Sequence, residues 1–308
     1  MLYSARDIRG HRWGWGRCTQ CGALSLTPRP TAAQLAVAYD ASYYGLRETK
    51  FEGLVACFIR QCRRAKAARL AKRVPCGAVV LDVGCGDGSF LAELGALGDF
   101  ELHGLELDGP AARRAQRNPK IQVGVGDVLE AGYPVERFDM VTLFHVFEHL
   151  AEPKSTLDEL YKIVKIGGTL VLSFPNAGSL QARVFKGEWL HLDPPRHLFL
   201  QDPAAAERAF RAAGFAIVGR RYFSVEQNPF GLIQSALNLF IAERDVLYER
   251  LKGNEGYAPR HGRWSLLLQK LVAGALLGPA ILFDALESLF GCAATVEYTL
   301  RKERKSEG

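Results

Sequence analysis

Hydrophobic positions follow two regimes along this chain. From residue 76 to about 223, short runs of β-forming residues alternate with segments whose apolar positions recur every three or four residues. That alternation predicts strands near 78–83, 101–106, 121–125, 138–143 and 168–174, with helices near 88–97, 109–117, 153–165 and 203–213. Gly167-Gly168 stops the helix before the fifth strand, and Pro175-Asn176 ends that strand. Phe215–Phe223 reads as a sixth strand and Ala294–Arg301 as a seventh. Strands alternating with helices imply an α/β domain with a largely parallel sheet.

The flanking segments behave differently. Residues up to about Pro30 show no sustained period and read as loop. Thr31–Tyr44 reads as a short helix with Thr31 as its N-cap, ending in Tyr39, Tyr43, Tyr44 and Gly45. That aromatic cluster suits a lid over a ligand and ordinary packing equally well. In 51–75, Phe51, Leu54, Val55, Phe58, Ile59 and Cys62 recur at helical spacing. The stretch 224–293 reads as a helical hairpin, Pro229–Lys252 and Trp264–Phe290, split by a polar loop. Its uncharged run between Lys270 and Asp284 is shorter than the roughly twenty residues a bilayer span needs. It is expected to lie on the core, on a partner subunit or in a membrane interface. Domain boundaries follow: a cap over 1–75, a core over 76–223, the hydrophobic insertion over 224–293, and a last strand with a charged tail over 294–308.

Composition changes this picture in one place. A chain of 308 residues with 48% hydrophobic and 23% charged residues can bury a sizeable core. Its formal net charge of +6 is matched by the 51–75 segment alone, where Arg60, Arg63, Arg64, Lys66, Arg69, Lys72 and Arg73 face one acid, Glu52. An amphipathic basic helix suits acidic lipid, nucleic acid, a phosphorylated substrate or plain solvent. The 7 cysteines are odd in number and irregularly spread, which does not read as a disulfide framework. With no apolar leader read at the N-terminus, a cytoplasmic location is expected, peripheral on the inner membrane face if the insertion docks there.

The chemistry starts at Val79-Val80-Leu81-Asp82-Val83-Gly84-Cys85-Gly86-Asp87-Gly88-Ser89-Phe90. Strand, glycine loop and helix open a nucleotide-binding unit, but the spacing is G-x-G-x-G rather than G-x-G-x-x-G. Asp82 would repel a pyrophosphate and suits a ligand carrying an ammonium. About twenty residues on, Glu106 ends the second strand, where a ribose diol would lie. Asp127 follows the third strand, and ligands of open α/β sheets sit beyond these carboxyl ends.

Loop and spaced acid together resemble class I S-adenosylmethionine-dependent methyltransferases. By that resemblance Asp82, Gly84, Cys85 and Gly86 hold the methionine part. Glu106, with Leu107 beside it, holds the ribose hydroxyls. Asp127 contacts the adenine amino group, Val128 packs on its ring, and Phe144 borders the pocket. The Glu148-His149 pair, the run Pro195-Arg196-His197 and the helix ending at Gly214-Phe215 narrow the likeness to the ubiquinone-methyltransferase-like group over about residues 17–222. The implied fold is a Rossmann-like doubly wound sheet of seven strands, the last antiparallel, with the cap and the inserted hairpin attached. Cys18-Thr19-Gln20-Cys21 resembles half of the N-terminal zinc ribbon of that group. With no second C-x-x-C, and only His11 as a third donor, a metal-free remnant is expected.

After the fourth strand, His145, Glu148 and His149 fall at i, i+3 and i+4, expected on one helical turn; His197 follows on a proline-stiffened loop. Three readings stand. The four residues bind a divalent metal, similar to the E-x-x-E-H site of the family with His145 replacing the first glutamate. Alternatively, one histidine is a metal-free general base. Or the cluster only braces the loop. The expected activity is methyl transfer to a small or amphiphilic acceptor, an oxygen before nitrogen or carbon. An RNA 2′-O-methyltransferase and a non-catalytic, membrane-associated S-adenosylmethionine-binding protein are the alternatives; nucleic acid is not the expected partner, and the oligomeric state is not read.

Overall fold

The structure, a computed structural model, describes residues 2–39, 53–254 and 262–304. In chain order the elements are β1 (Tyr3–Arg6), β2 (Arg12–Arg17), β3 (Leu24–Thr27), α1 (Ala32–Ala38), α2 (Gly53–Ala71), β4 (Val79–Val83), α3 (Ser89–Gly95), β5 (Glu101–Glu106), α4 (Pro110–Ala115), β6 (Ile121–Val125) and β7 (Phe138–Phe144). There follow α5 (Pro153–Ile163), β8 (Val164–Pro175), α6 (Leu180–Phe185), β9 (Phe199–Leu200), α7 (Pro203–Ala213), β10 (Phe215–Arg221), α8 (Asn228–Asn238), α9 (Val246–Leu251), α10 (Arg263–Leu289) and β11 (Thr295–Lys302). The chain forms two compact units: Met1–Cys57 with Pro175–Ala205 and Arg221–Val296, and Phe58–Phe174 with Ala206–Arg220 and Glu297–Gly308.

The second unit is built on a seven-stranded sheet in the order β10-β11-β8-β7-β4-β5-β6, its last strand antiparallel. Strand β4, between β7 and β5, is buried along its whole length, as a parallel strand covered on both faces must be. Val80, Leu91, Leu94, Leu102, Ile121, Met140 and Val171 form its core with Ala67 and Leu70 of α2. Each such fully buried Leu, Ile, Val or Met contributes about 1.5–3 kcal/mol. The basic helix is thus real, but it rests on Ala67 and Leu70 near its carboxyl end, while Phe58 is exposed. The Phe51 and Glu52 that begin the predicted helix lie outside the described residues.

One boundary differs for a physical reason. The helix predicted to residue 165 ends at Ile163, and β8 begins at once. Phe138 pairs with Val164 and Met140 with Thr169, so the intervening residues are absorbed in a bulge with Gly167 at φ 77°. The glycine pair read as a helix stop shapes a bulge inside the strand.

The first unit corrects the reading of residues 1–30 as loop. These residues form an antiparallel sheet, β1-β2-β3, extended by β9. Trp13 and Trp15 of β2 alternate onto one buried face and pack with Leu24, Leu26, Phe185 and Trp189. The alternation was present in Arg12-Trp13-Gly14-Trp15-Gly16-Arg17, hidden by its glycines. Asp7 closes the β1–β2 turn by accepting from the amides of Arg9 and His11, both at 2.9 Å, and from Trp13 Nε1 at 3.0 Å. His11 Nδ1 lies 3.4 Å from Asp7 Oδ2, so its partner here is a carboxylate. Cys18 and Cys21 sit on the β2–β3 turn, where the amides of Cys21 and Gln20 lower the Cys18 thiol pKa.

Helix α1 starts with a capping box: Thr31 Oγ1 accepts from Gln34 N at 3.2 Å while Gln34 Oε1 accepts from Thr31 N at 2.8 Å. Tyr39 caps its end; Tyr43, Tyr44 and Gly45 lie outside the described residues. The predicted first arm of the hairpin is two helices, α8 and α9, because the chain between them turns inward. There the buried Arg244 guanidinium donates to the Gly187 carbonyl at 2.6 Å and pairs with Asp245 at 2.9 Å. Asn238 Nδ2 donates to Asp245 Oδ1 at 2.8 Å. Helix α10 packs on α8 and α9.

Candidate functional site

At the carboxyl ends of β4, β5, β6 and β7, parallel registry brings the predicted residues of the second unit together. Asp82 stands opposite Gly104 of β5 and Thr142 of β7, and Glu106 is the last residue of β5. Such a ring of strand ends beside the central strand is where open α/β sheets take ligands.

The glycine loop is shaped by close approach. Gly84 has φ 70°, and a Cβ there would stand 2.3 Å from Val146 Cγ2. Gly86 has φ 59° and open space where its Cβ would be, room that a ligand can fill against bare backbone. Gly86 N donates to Glu106 Oε2 at 2.7 Å, and Leu107 N donates to Glu106 Oε1 at 3.0 Å. Cys85 is buried beneath the loop in the gap that Gly104 leaves; a Cβ on Gly104 would meet its sulfur at 2.7 Å.

Electrostatics mark the place. Asp82 is 3% exposed and accepts from Thr142 Oγ1 at 2.6 Å. Burial pushes its pKa up to about 7; Glu106 adds to the rise, while the Thr142 hydrogen bond, Lys66 and Arg63 oppose it. Burial also raises Glu106, against the two amides it accepts from. Two carboxylates held towards neutrality beside an open glycine suit a ligand bringing positive charge and hydroxyl groups. Asp127 is half-buried with Oδ1 accepting from Leu129 N at 2.8 Å. Val128 is buried and Leu107 exposed. Phe144 is partly buried, edge-on to Phe90, with Lys66 Nζ 4.5 Å from its ring centroid.

The histidine turn departs from expectation. His145 is not on a helical turn: it takes the left-handed conformation at φ 55°, with its amide donating to Ser173 O at 2.9 Å. A single 3-10 turn, Phe147–His149, follows. The reversal still turns His145 towards Glu148, with Nδ1 3.4 Å from Oε1. Glu148 is 1% exposed, and Phe147 anchors the turn against Phe174 and Phe210. His197 stands in the first unit, its Nδ1 2.8 Å from the His191 carbonyl. Beside it Asp193 is held well below the usual carboxylate range: burial works to raise it, but Arg196, His197 and Lys252 prevail.

Sequence reasoning missed five contributors. Thr142 and Gly104 lay inside predicted strands and Val146 inside the predicted helical turn, with no role at the site read for any of them. Arg63 and Lys66 were counted in a basic helix suited to lipid, nucleic acid, a phosphorylated substrate or solvent, yet their charges act on Asp82. Their i, i+3 spacing was the available signal.

The family profile described as Methyltransferase domain matches residues 58–219. An uncharacterized methyltransferase of Mycobacterium tuberculosis is 32% identical over 145 residues, covering 41% of this chain and 73% of that protein. A ubiquinone biosynthesis O-methyltransferase of Pseudomonas putida is 33% identical over 108 residues, 32% of this chain and 45% of that enzyme, so under half of its length is matched. Among solved structures, the phosphoethanolamine N-methyltransferase 2 of Haemonchus contortus, in complex with phosphomonomethylethanolamine and S-adenosylhomocysteine, aligns with a TM-score of 0.50 at 13% identity. The alignment covers 78% of this chain and 53% of that one, and at that identity the likeness is one of fold.

Proposed function

The chain belongs to the methyltransferase-domain family, and on that premise we propose that it transfers a methyl group from S-adenosylmethionine to a hydroxyl oxygen of a small or amphiphilic acceptor. The observation that supports this most is the cradle itself: the open Gly86 between buried Asp82 and buried Glu106. S-adenosylmethionine supplies an electrophilic methyl carbon on a positively charged sulfur, which a nucleophile takes by in-line displacement. Asp82 and the glycine-loop backbone would hold its amino-acid part, Glu106 its ribose, and Asp127 with Val128 its base. Leu107, Cys85 and Phe144 would close the walls.

Methyl transfer to a hydroxyl releases a proton, and His145 takes it. An imidazole titrating near neutrality is matched to that task. The Glu148 carboxylate at 3.4 Å faces the other ring nitrogen and stabilises the imidazolium that forms. Carboxylate and imidazole donors such as Glu148 and His149 of this turn are also chemically suited to a divalent cation. The scheme uses only the His145–Glu148 geometry and routes no step through a metal. The relative that acts in ubiquinone biosynthesis as an O-methyltransferase favours oxygen as the acceptor atom.

The test is a radiolabelled methyl-donor assay over pools of phenols, aliphatic alcohols, amines and RNA, with metal analysis of the protein. His145→Ala is expected to lower kcat about a hundredfold, with S-adenosylhomocysteine affinity unchanged. A labelled amine product overturns the oxygen reading, a labelled RNA product overturns the small or amphiphilic acceptor, and full turnover by His145→Ala overturns the base role of His145. A stoichiometric metal whose removal abolishes turnover overturns the metal-free scheme.

A further inference from the structure

Helix α10 is built inside out. In a helix on a water-soluble protein the apolar stripe faces the core and the charges face solvent. Here the buried positions are Gln269, Ala280, Asp284 and Glu287. The opposite side exposes Trp264 (83%), Leu268, Leu271, Leu282 (63%), Leu286 and Leu289, with Phe290 (82%) just beyond its end. At 100° per residue these side chains fall in one stripe. The helix has 27 residues, so the stripe is about 40 Å long. The segment is long and apolar enough to cross a membrane, yet only 11% of its most apolar window is buried, so it is not the covered core helix that such a composition often signals.

The buried acids show how it is held. Asp284 Oδ1 accepts from Asn228 Nδ2 of α8 at 2.7 Å, and Glu287 Oε2 accepts from Gln181 Nε2 of α6 at 3.0 Å. Those bonds fasten one side of the helix to protein along its carboxyl half. A segment pinned in this way lies along a surface and does not run through a bilayer.

What covers the free side is indicated by charge. With Asp284 and Glu287 turned inward, the exposed charges of α10 are Arg263 and Lys270 alone, both cations. They are seven residues apart and share one flank of the leucine stripe. A leucine face edged by cations, with a tryptophan beside the first of them, is the make-up of a helix lying in the headgroup layer of an acidic membrane. We infer that the outward stripe of α10 docks this protein, as a peripheral and non-spanning attachment, on the surface of an anionic lipid bilayer. The attachment gives an amphiphilic acceptor a place from which to be drawn, but stands independently of the reaction proposed above.

The test is vesicle flotation of the full chain, with phosphatidylcholine alone and with phosphatidylcholine plus phosphatidylglycerol. Wild type is expected to float with the phosphatidylglycerol vesicles. The exposed-face variant Leu268→Glu, Leu271→Glu, Leu282→Glu should float at least about tenfold less. Arg263→Glu with Lys270→Glu should abolish the preference for anionic lipid, and Val184→Glu, an exposed position on α6, should change nothing. Unchanged S-adenosylhomocysteine affinity and melting temperature certify that the triple variant is folded. Wild type that sinks with both vesicles overturns the inference, as does a triple variant that floats like wild type. A wild-type dimer that the triple variant dissociates, with no flotation of either, assigns the stripe to a second copy of the chain instead.

Discussion

Replacing Asp82 by Asn separates what this carboxylate does for binding from what it costs the fold. In the unfolded chain the group titrates at 3.8, and in the folded protein at about 7. A carboxyl whose folded pKa is raised keeps its proton in the native state while the unfolded chain has lost it. Stability therefore falls as pH rises from about 4 to 7, and is level above. Three pH units at 1.36 kcal/mol each set a ceiling of about 4 kcal/mol on the ionised form's penalty. Relaxation and water at the ligand-binding end of the strand leave about 1–2 kcal/mol. Asn keeps the oxygen that accepts from Thr142 Oγ1 and removes the charge. At pH 8 the ligand-free Asp82→Asn protein should melt several degrees above wild type, at about 2–4 °C per kcal/mol. At pH 4 the two should coincide. Calorimetry should show the opposite for ligand: at least about tenfold weaker S-adenosylmethionine binding at pH 8. Wild-type affinity should fall below pH 7, where binding must expel a proton; that of Asp82→Asn should be flat. A variant less stable than wild type at pH 8, or one that binds equally well, would refute the reasoning.

Gly84→Ala places a Cβ 2.3 Å from Val146 Cγ2 at a residue with φ 70°. It should cost about 1–3 kcal/mol in chemical denaturation and abolish cofactor binding, and Val146→Ala should restore part of the stability. Glu287 is raised to about 7, by burial first and by Asp284 second, against the Gln181 hydrogen bond. Its contribution likewise declines between about pH 4.5 and 7, so Glu287→Gln should stabilise the protein at pH 8 and leave it unchanged at pH 4. A melting curve for Glu287→Gln that is lower at pH 8 and unchanged at pH 4 would show that the carboxylate contributes stability in its charged form.

The sheet and the cofactor end were legible in the sequence because both are local patterns. Val79–Val83 is continuous and apolar, and the acids Asp82, Glu106 and Asp127 keep their places relative to strand ends whatever surrounds them. What was not legible depends on partners distant in sequence. The Asp82–Thr142 bond joins residues sixty apart, and the room for Cys85 is an absence on another strand at Gly104. The β1–β3 sheet escaped because Gly14 and Gly16 weaken an alternation that Trp13 and Trp15 carry almost alone. His145 was placed on a helix by spacing. Spacing counts residues and does not register a single left-handed φ, although that one torsion sets the ring beside Glu148.

The same contrast separates the two sets of buried acids. Asp82 accepts from the Thr142 hydroxyl and Glu106 from the amides of Gly86 and Leu107, and both lie at open strand ends where a cationic, hydroxyl-bearing ligand can reach them. Asp284 and Glu287 are buried against Asn228 and Gln181, donors of the protein itself, while Glu287 Oε1 is buried with no hydrogen-bond partner among the described residues. Burying a carboxylate costs several kcal/mol unless it is hydrogen-bonded, so a helix that puts two acids inside and its leucines outside needs an offsetting gain elsewhere. The amides of Asn228 and Gln181 supply part of that gain within the protein. On the docking inferred above, a further gain comes when the leucine stripe leaves water for the lipid surface. Neutralising those acids should accordingly tighten the helix on the protein without weakening flotation, whereas charging the stripe should abolish flotation without loosening the helix. A Glu287→Gln protein that no longer floats would break that separation, and with it the claim that the two faces of α10 act independently.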